Sequence, residues 1–502
     1  MTDATANEHP LEPIFHPRSI AIAGVPRDNS GRQRSGFLAS LMEHGYHEDR
    51  PLYPVNPNAD TIAGLRAYPS VRDIEGPVDH VISSVPASIT PQLVDDAIAK
   101  GVRSIHFYTA GFAESGDPDL ARQQREMIGR ATAAGIRVFG PNCMGLYVPG
   151  ERITFQGEFP TEPGNVMVIS QSGGNSMDIV HGLAKRGVRF SRGVSFGNGE
   201  DVDAADLFDY AAADPTSEYV VAYLESSARG RATYEALRRC ARVKPTIVLK
   251  GGMTGAGGRA ANSHTGALAG SRAVFEAMCR QAGAALAETM EELHDLLIGV
   301  TTNTHLVRGE RALLVGGGGG FSVLAADTIA RVGLDLPPLD EETTGRLREL
   351  MPVAGNSIRN PIDASHFQTG EDRRDAYRTL LDIGAHAREL DVMLVMAGGP
   401  PDFAPRSLEE QRDPDYARAR DEHRRAADRR AIEQLIELQE SSHHPVVALR
   451  RDRMGMPALD DEVLAEAYAH GLGVFHTVGR AARTVARLLE WRKDREGLPE
   501  LF

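Results

Sequence analysis

Along the chain, apolar residues fall in short runs separated by amphipathic stretches. The runs SIAIAG (19–24), PLYPV (51–55), HVISSV (80–85), SIHFYT (104–109) and RVFG (137–140) read as buried strands. Stretches such as FLASLMEHG and PQLVDDAIAKG between them carry helical periodicity. Strands that alternate with helices build βαβ units around a parallel sheet. Residues 12–150 are therefore expected to form one doubly wound domain. The pattern restarts with NVMVIS (165–170), GVSF (193–196), YVVAYLE (219–225) and PTIVLKG (245–251), which predicts a second α/β domain over 151–302. It restarts again with RALLVGGGGG (311–320), LDVMLVMAGG (390–399) and PVVALR (445–450), a third domain over 303–502. The Arg- and Glu-rich stretch 405–440 reads as long solvated helices of a surface insertion.

Three domains suit a length of 502 residues. Hydrophobic and charged fractions of 41% and 25% are those of a globular protein. The net charge is −14, and Arg is scattered rather than blocked, so no nucleic-acid partner is expected. Three widely spaced cysteines show no metal-ligand spacing and suit a reducing, cytoplasmic setting. The polar N-terminus MTDATANEHPLEP lacks an apolar signal core. No run of about 18 apolar residues occurs, so no membrane span is expected.

The chemistry concentrates at predicted strand ends. The first strand leads into AGVPRDNSGRQRSG, whose glycines at 24, 31 and 36 do not match G-x-G-x-x-G. The second ends in PVNPN (54–58), without the acidic residue that holds a nicotinamide cofactor's ribose, so NAD is disfavoured. SSVPAS (83–88), TAGFAESG (109–116) and GIRVFGPNCMGL (135–146) complete a ring of loops along one sheet edge. Cys143 within PNC also reads as a small buried hydrophobe.

In the second domain, LKGGMTGAGGRAANSHTGALAG (249–270) sets His264 in a Gly- and Ala-rich loop after a strand. A neutral imidazole there can act as a nucleophile toward phosphorus. SQSGGNSMDIV (170–180) opens a helix with small residues, so Ser172 and Gly173 are candidates to bind phosphate through free N–H groups. YLESSARG puts Glu225 at a third strand end, where a carboxylate can orient the imidazole. GNGEDVDAADL (197–207) reads either as a catalytic acidic segment or as a capped helix start. SQSGG is not the hydrolase elbow G-x-S-x-G, because Ser170 stands first. GGGGGFS (316–322) is not a P-loop, since Phe321 replaces a glycine and no Lys follows. His443-His444 reads as a surface pair, and no metal site is expected.

The three segments SQSG, the strand ending in Glu225 and SHTGA, with the CoA-type loops before them, resemble the ADP-forming acyl-CoA synthetases and succinyl-CoA synthetase, from residue 12 to about 300. The resemblance implies a Rossmann-like CoA-binding domain followed by two flavodoxin-like ligase domains, the last marked by VGGGGGFSVLAAD and by Asn360, Pro361 and Asp363. It implies a phosphorylated His264 steadied by Glu225, with phosphate contacts at Ser172, Gly173, Gly174, Ser263, Thr265 and Gly266. It implies CoA contacts at Gly24, Val25, Pro26, Asn56, Pro57, Val85 and Pro86. Further CoA contacts fall at Thr109, Ala110, Gly111, Phe112, Glu114, Asn142 and Cys143, with Arg32 and Arg34 as substitutes where the family's first loop usually has Lys.

No ATP-grasp module is recognisable, so the family pattern implies a separate β-type subunit that binds ATP or GTP with Mg2+, in a hetero-oligomer or around a homodimer of this chain. The expected activity is an acid–thiol ligase: a carboxylic acid, CoA and ATP give acyl-CoA through a phosphohistidine and an acyl phosphate. The alternative is a non-catalytic CoA-binding subunit that regulates or assembles a partner.

Overall fold

The computed structural model describes residues 9–27, 36–259, 271–350, 358–364, 371–397, 414–450 and 459–501. Two compact units emerge: residues 1–184, 189–290 and 497–502 in one, 185–188 and 291–496 in the other.

In the first unit, strands β1 (Ile20–Ala23), β2 (Leu52–Val55), β5 (His80–Ser83), β6 (Ser104–Phe107) and β7 (Arg137–Phe139) form one parallel sheet in the order β2-β1-β5-β6-β7. A hairpin of β3 (Thr61–Ile62) and β4 (Leu65–Arg66) follows β2, and Tyr68 then bridges beside Val55 in parallel. Counting that bridge as a rudimentary strand gives the 3-2-1-4-5-6 order of the Rossmann fold. Strands β1, β5 and β6 are buried on both faces, as their continuous apolar runs require. Helices Thr90–Lys100 and Pro118–Ala133 supply part of the cover, through Leu93, Val94, Met127 and Ile128.

The same unit holds a second sheet of β8 (Gly145–Tyr147), β9 (Pro163–Ser170), β10 (Phe190–Ser195), β11 (Tyr219–Leu224), β12 (Thr246–Lys250) and β13 (Ala285–Ala287), ordered β13-β12-β11-β9-β10-β8. All pairs are parallel except β8 with β10. Leaving aside β8, the chain order across the sheet is the flavodoxin-like 2-1-3-4-5.

In the second unit, β14 (Ala312–Val315), β15 (Val392–Ala397), β16 (Val446–Arg450) and β17 (Gly473–Phe475) run parallel in chain order. Ile362 bridges Val315 on the far side of β14, a one-residue remnant that restores the flavodoxin-like order. Asn360 pins this remnant: its side-chain amide donates to the Ala312 carbonyl at 2.7 Å and accepts from Leu314 N–H at 3.2 Å. The charged stretch departs from expectation. Its described part is one helix, Pro414–Ser441, and Ile432, Leu435, Ile436 and Leu438 bury its C-terminal half in the core around β15 and β16. Dense charge on the outer face masks an inner apolar stripe of the usual helical spacing.

Candidate active site

In an open parallel sheet, ligands bind where the strand order reverses, at the carboxyl ends of the strands. In the second sheet that point lies between β9 and β11. Beyond β9, Ser170 Oγ donates to the Ser172 carbonyl at 2.7 Å and accepts from Ser172 N–H at 3.2 Å, which turns the chain sharply into the helix Gly173–Ala184. Ser172 Oγ caps the helix by accepting the Asn175 N–H at 3.3 Å. The N–H groups of Gly173 and Gly174 have no acceptor among the described residues, and Gly174 is exposed. Two free amides at the positive end of a helix dipole form a site for an oxyanion. Gly173 is required by crowding, since a Cβ there would lie 2.6 Å from Met144 Cγ.

Beyond β11, Glu225 is buried, and its Oε2 has no hydrogen-bond partner among the described residues. Gln171 fixes its backbone: the side-chain oxygen accepts from Glu225 N–H at 2.7 Å and Ser226 N–H at 3.0 Å. Tyr223 stands beside the carboxylate, and burial pushes its hydroxyl pKa up, with the Glu225 charge adding to the effect. Gly251 leaves room for this pair; a Cβ on it would lie 2.5 Å from the Tyr223 hydroxyl and 3.4 Å from Glu225 Cγ. Lys250 is also buried, and its ammonium donates to the carbonyls of Glu225 (2.6 Å) and Gly251. Burial pushes the Lys250 pKa down, and the Glu225 carboxylate offsets part of that shift. A buried carboxylate oxygen without a donor is costly unless something supplies one.

In the first sheet the order reverses between β1 and β5. Gly24 ends β1 with φ +91°, and a Cβ on it would lie 2.8 Å from the backbone of Ser84. Only glycine fits both the left-handed backbone and that approach. A cavity of about 370 Å³ opens here, lined by Gly24, Val25, Pro26 and Ser84 and walled by Phe37, Tyr108, Met144, Phe155 and Gln156. Tyr108 is 50% exposed and meets Phe37 edge-on, ring centroids 5.4 Å apart. The lining is apolar with a few amide and hydroxyl groups, a fit for a pantetheine arm.

Residues 18–149 match the CoA binding domain family, and residues 163–298 match the succinyl-CoA ligase like flavodoxin domain. The acetate–CoA ligase (ADP-forming) II subunit alpha of Pyrococcus furiosus is 35% identical over 371 residues, covering 74% of this chain and 78% of that subunit. The chain belongs to the ADP-forming acyl-CoA ligase family. The ADP-forming acetate–CoA ligase of Methanocaldococcus jannaschii is 33% identical over 71% of this chain, and the match spans about half of that longer protein (49%). Among solved structures, the dinucleotide forming acetyl-coenzyme A synthetase 1 of Ca. Korarchaeum cryptofilum, in complex with phosphate and ADP, superposes with a TM-score of 0.75 at 28% identity, over 97% of this chain and 98% of that one. Membership carries CoA and nucleotide chemistry with it.

Within this ligase frame, the residues anticipated from sequence divide into groups. Ser172, Gly173, Gly174 and Glu225 converge on one switch point, and Gly24, Val25 and Pro26 line the cavity at the other. His264, Ser263, Thr265, Gly266, Arg32 and Arg34 lie outside the described residues. Pro57, Pro86, Ala110 and Gly111 are exposed on the loops, and Val85 and Asn142 are half-buried.

The other anticipated CoA contacts have varied surroundings. Phe112 and Cys143 are buried, and burial pushes the Cys143 thiol pKa up to about 12. Asn56 spends its amide on the Val25 carbonyl (2.8 Å) and the Asn58 N–H (2.8 Å), which shapes the loop. Thr109 donates to the Val85 carbonyl at 2.7 Å, tying β5 to β6 beyond their ends. Glu114 accepts from the N–H groups of Gly111 and Phe112 and from Asn198 Nδ2 at 2.6 Å. Burial alone would raise its carboxyl pKa, but these hydrogen bonds outweigh burial and hold it below the usual value. The GNGEDVDAADL segment reads as a helix start: Asp203 and Asp206 form a capping box on helix Ala204–Ala213, and Arg229 pairs with both. Sequence reading missed Gln171, Tyr223, Lys250 and Met144.

Proposed function

We propose that this chain is the alpha-type subunit of an ADP-forming acyl-CoA ligase, binding CoA at the β1/β5 switch point, holding phosphoryl oxygens at the β9/β11 switch point and carrying the phosphoryl group on His264. The observation that carries the reading is the pairing of the Gly173 and Gly174 amides, without acceptors among the described residues, with the buried Glu225 carboxylate, whose Oε2 has no donor among them, at one strand-order reversal. An anion and an imidazolium are what such a pair would hold. Glu225 accepts the proton-bearing ring nitrogen and so directs the other nitrogen at phosphorus. The helix amides take the charge of the phosphoryl oxygens, which grows as they are transferred.

In the synthetic direction a carboxylate oxygen attacks the phosphohistidine phosphorus, and the P–N bond breaks to give an acyl phosphate and free imidazole. The CoA sulfur then attacks the acyl carbon, the C–O bond to phosphate breaks, and the thiol proton leaves with inorganic phosphate. Each step reverses. Phosphorylation of His264 from nucleotide calls for a separate ATP-grasp subunit that binds ATP or GTP with Mg2+, a role the name "subunit alpha" of the Pyrococcus relatives supports.

The test is the reverse half-reaction. Purified chain is incubated with acyl-CoA and radiolabelled inorganic phosphate and compared with His264→Ala. Acid-labile label in the wild type and none in the variant is the expected result. Equal label in both, or none with any acyl-CoA despite CoA binding, would reject the assignment.

A further inference from the structure

Side chains from both flanking strands hold the Glu225 backbone. On the β9 side, the Gln171 side-chain oxygen accepts the Glu225 N–H at 2.7 Å. On the β12 side, the Lys250 ammonium donates to the Glu225 carbonyl at 2.6 Å and also to the Gly251 carbonyl. Strand register explains why a side chain is needed there. Leu224 pairs with Lys250, and the bond from Gly251 N–H to the Leu224 carbonyl, 2.8 Å, is the last rung between β11 and β12. Beyond it the carbonyls of Glu225 and Gly251 have no backbone donor among the described residues, and one buried ammonium takes both.

A buried lysine is a costly way to tie two strand ends, since its ammonium leaves water. What it offers is several donors on one atom, enough for two carbonyls at once. Among the described residues the ammonium makes no ion pair, so it occupies neither oxygen of the Glu225 carboxylate. The backbone is thereby fixed while Oε2 is left without a donor among those residues. Resting on the function proposed above, we infer that Lys250 is a positioning residue for phosphoryl transfer. It locks Glu225 from the β12 side and leaves a carboxylate oxygen open to the imidazole of His264. A carboxylate that must meet an imidazole to within about 0.5 Å cannot hang from a loose strand end. Such supporting partners set the orientation of the groups that do the chemistry.

The experiment is the reverse labelling reaction, run with whichever of acetyl-, isobutyryl-, benzoyl- and succinyl-CoA labels the wild type fastest. Lys250→Met removes both donors at nearly the same length. It should lower kcat roughly ten- to a hundredfold and leave the KM values for thioester and phosphate within about twofold. In a Glu225→Gln background the same substitution should cost less than about threefold, because the group it positions is already gone. Lys250→Arg keeps donors for two carbonyls and should recover much of the loss, whereas Lys250→Gln should not. No label from any thioester in the wild type would overturn the functional reading and this inference with it. Normal wild-type labelling, with Lys250→Met at the wild-type kcat or slowed by the same factor in both backgrounds, would overturn the inference alone. Lys250 would then be a structural tie between β11 and β12. If Lys250→Met fails to fold, the Arg and Gln variants decide, and equal rates in those two overturn the inference.

Discussion

Gln171 and Glu225 are joined across two strand ends: the Gln171 side-chain oxygen accepts the Glu225 backbone N–H at 2.7 Å, in a buried setting. The same oxygen takes the Ser226 N–H at 3.0 Å, and Gln171 Nε2 donates to Ser226 Oγ at 3.1 Å. One side chain therefore sets the position of the carboxylate relative to the turn that opens the helix Gly173–Ala184. Gln171→Leu keeps the volume and strands two buried amides, a loss of about 2–4 kcal/mol in urea unfolding. Gln171→Glu retains the acceptor but loses the Nε2 donor to Ser226 Oγ and buries a second carboxylate near Glu225, so it should not recover the loss. Unfolding midpoints that coincide for Leu and wild type would mean the two amides find other partners.

The first sheet contains a pair of buried histidines on neighbouring strands. His80 Nδ1 meets Ser104 Oγ at 2.7 Å, His80 Nε2 meets His106 Nδ1 at 3.1 Å, and His106 Nε2 has no partner among the described residues. Burial pushes the His80 pKa down to about 3, and burial reinforced by His80 pushes that of His106 well below its usual value. Both folded-state values lie below the unfolded one, so the neutral pair stabilises the fold fully above about pH 6.5 and progressively less as pH falls toward 3. The slope should be roughly 1.4 kcal/mol per pH unit for one histidine and double for two. Urea unfolding at several pH values between 7 and 4 measures it, against the double variant His80→Val, His106→Val, in which that component should vanish. An unchanged slope in the double variant would assign acid sensitivity elsewhere.

Much of this was readable in the sequence because parallel strands buried on both faces leave an unbroken apolar run. IAIA, HVIS and SIHF are such runs, and they are strands where the pattern puts them. The strands that escaped are the short ones: GLY at 145–147, ALA at 285–287 and GVF at 473–475 are too brief and too rich in small residues to stand out. Candidate site residues were legible when backbone geometry demanded their type, as with Gly24, whose left-handed backbone and close approach to Ser84 leave no room for a Cβ. A polar side chain that serves the loop itself is harder to assign from sequence. Asn56, Thr109 and Glu114 have the look of ligand contacts because closing a strand-end loop calls for the same donors and acceptors as holding a ligand. Tyr223 and Lys250 gave no signal, because their roles come from the neighbouring strand, which local pattern cannot show.

In the second unit, Asp295 accepts from Arg186 at 2.9 Å and from Arg480 at 2.6 and 2.8 Å, and Arg186 also donates to the Val474 carbonyl. Burial pushes the Arg186 pKa down, and the Asp295 charge works against that. Asp295→Ala leaves a buried guanidinium without its counter-ion and should cost about 3–5 kcal/mol. Adding Arg186→Met should return a large part of the loss, since a flexible apolar chain of similar length replaces the uncompensated charge. Chemical unfolding of the single and double variants separates the two cases. A double variant no more stable than Asp295→Ala would place the cost in packing rather than in charge.

Glu225 offers the sharpest separation between stability and chemistry. Its Oε2 is buried without a donor among the described residues, beside Tyr223 and the Gly251 backbone, while its own N–H is satisfied by Gln171. A charge kept in such a place weakens the fold unless a function requires it. Glu225→Gln preserves shape, removes the charge and should leave stability equal or higher by about 1 kcal/mol. The same change takes the negative partner from an imidazolium, so reverse labelling of His264 should slow by about a hundredfold or more. Glu225→Asp keeps the charge but withdraws it by one methylene, and should fall between the two. Thermal melting and labelling rates on the same preparations give both readouts. If Glu225→Gln melts lower yet labels at the wild-type rate, the carboxylate is a structural group and some other residue holds the histidine.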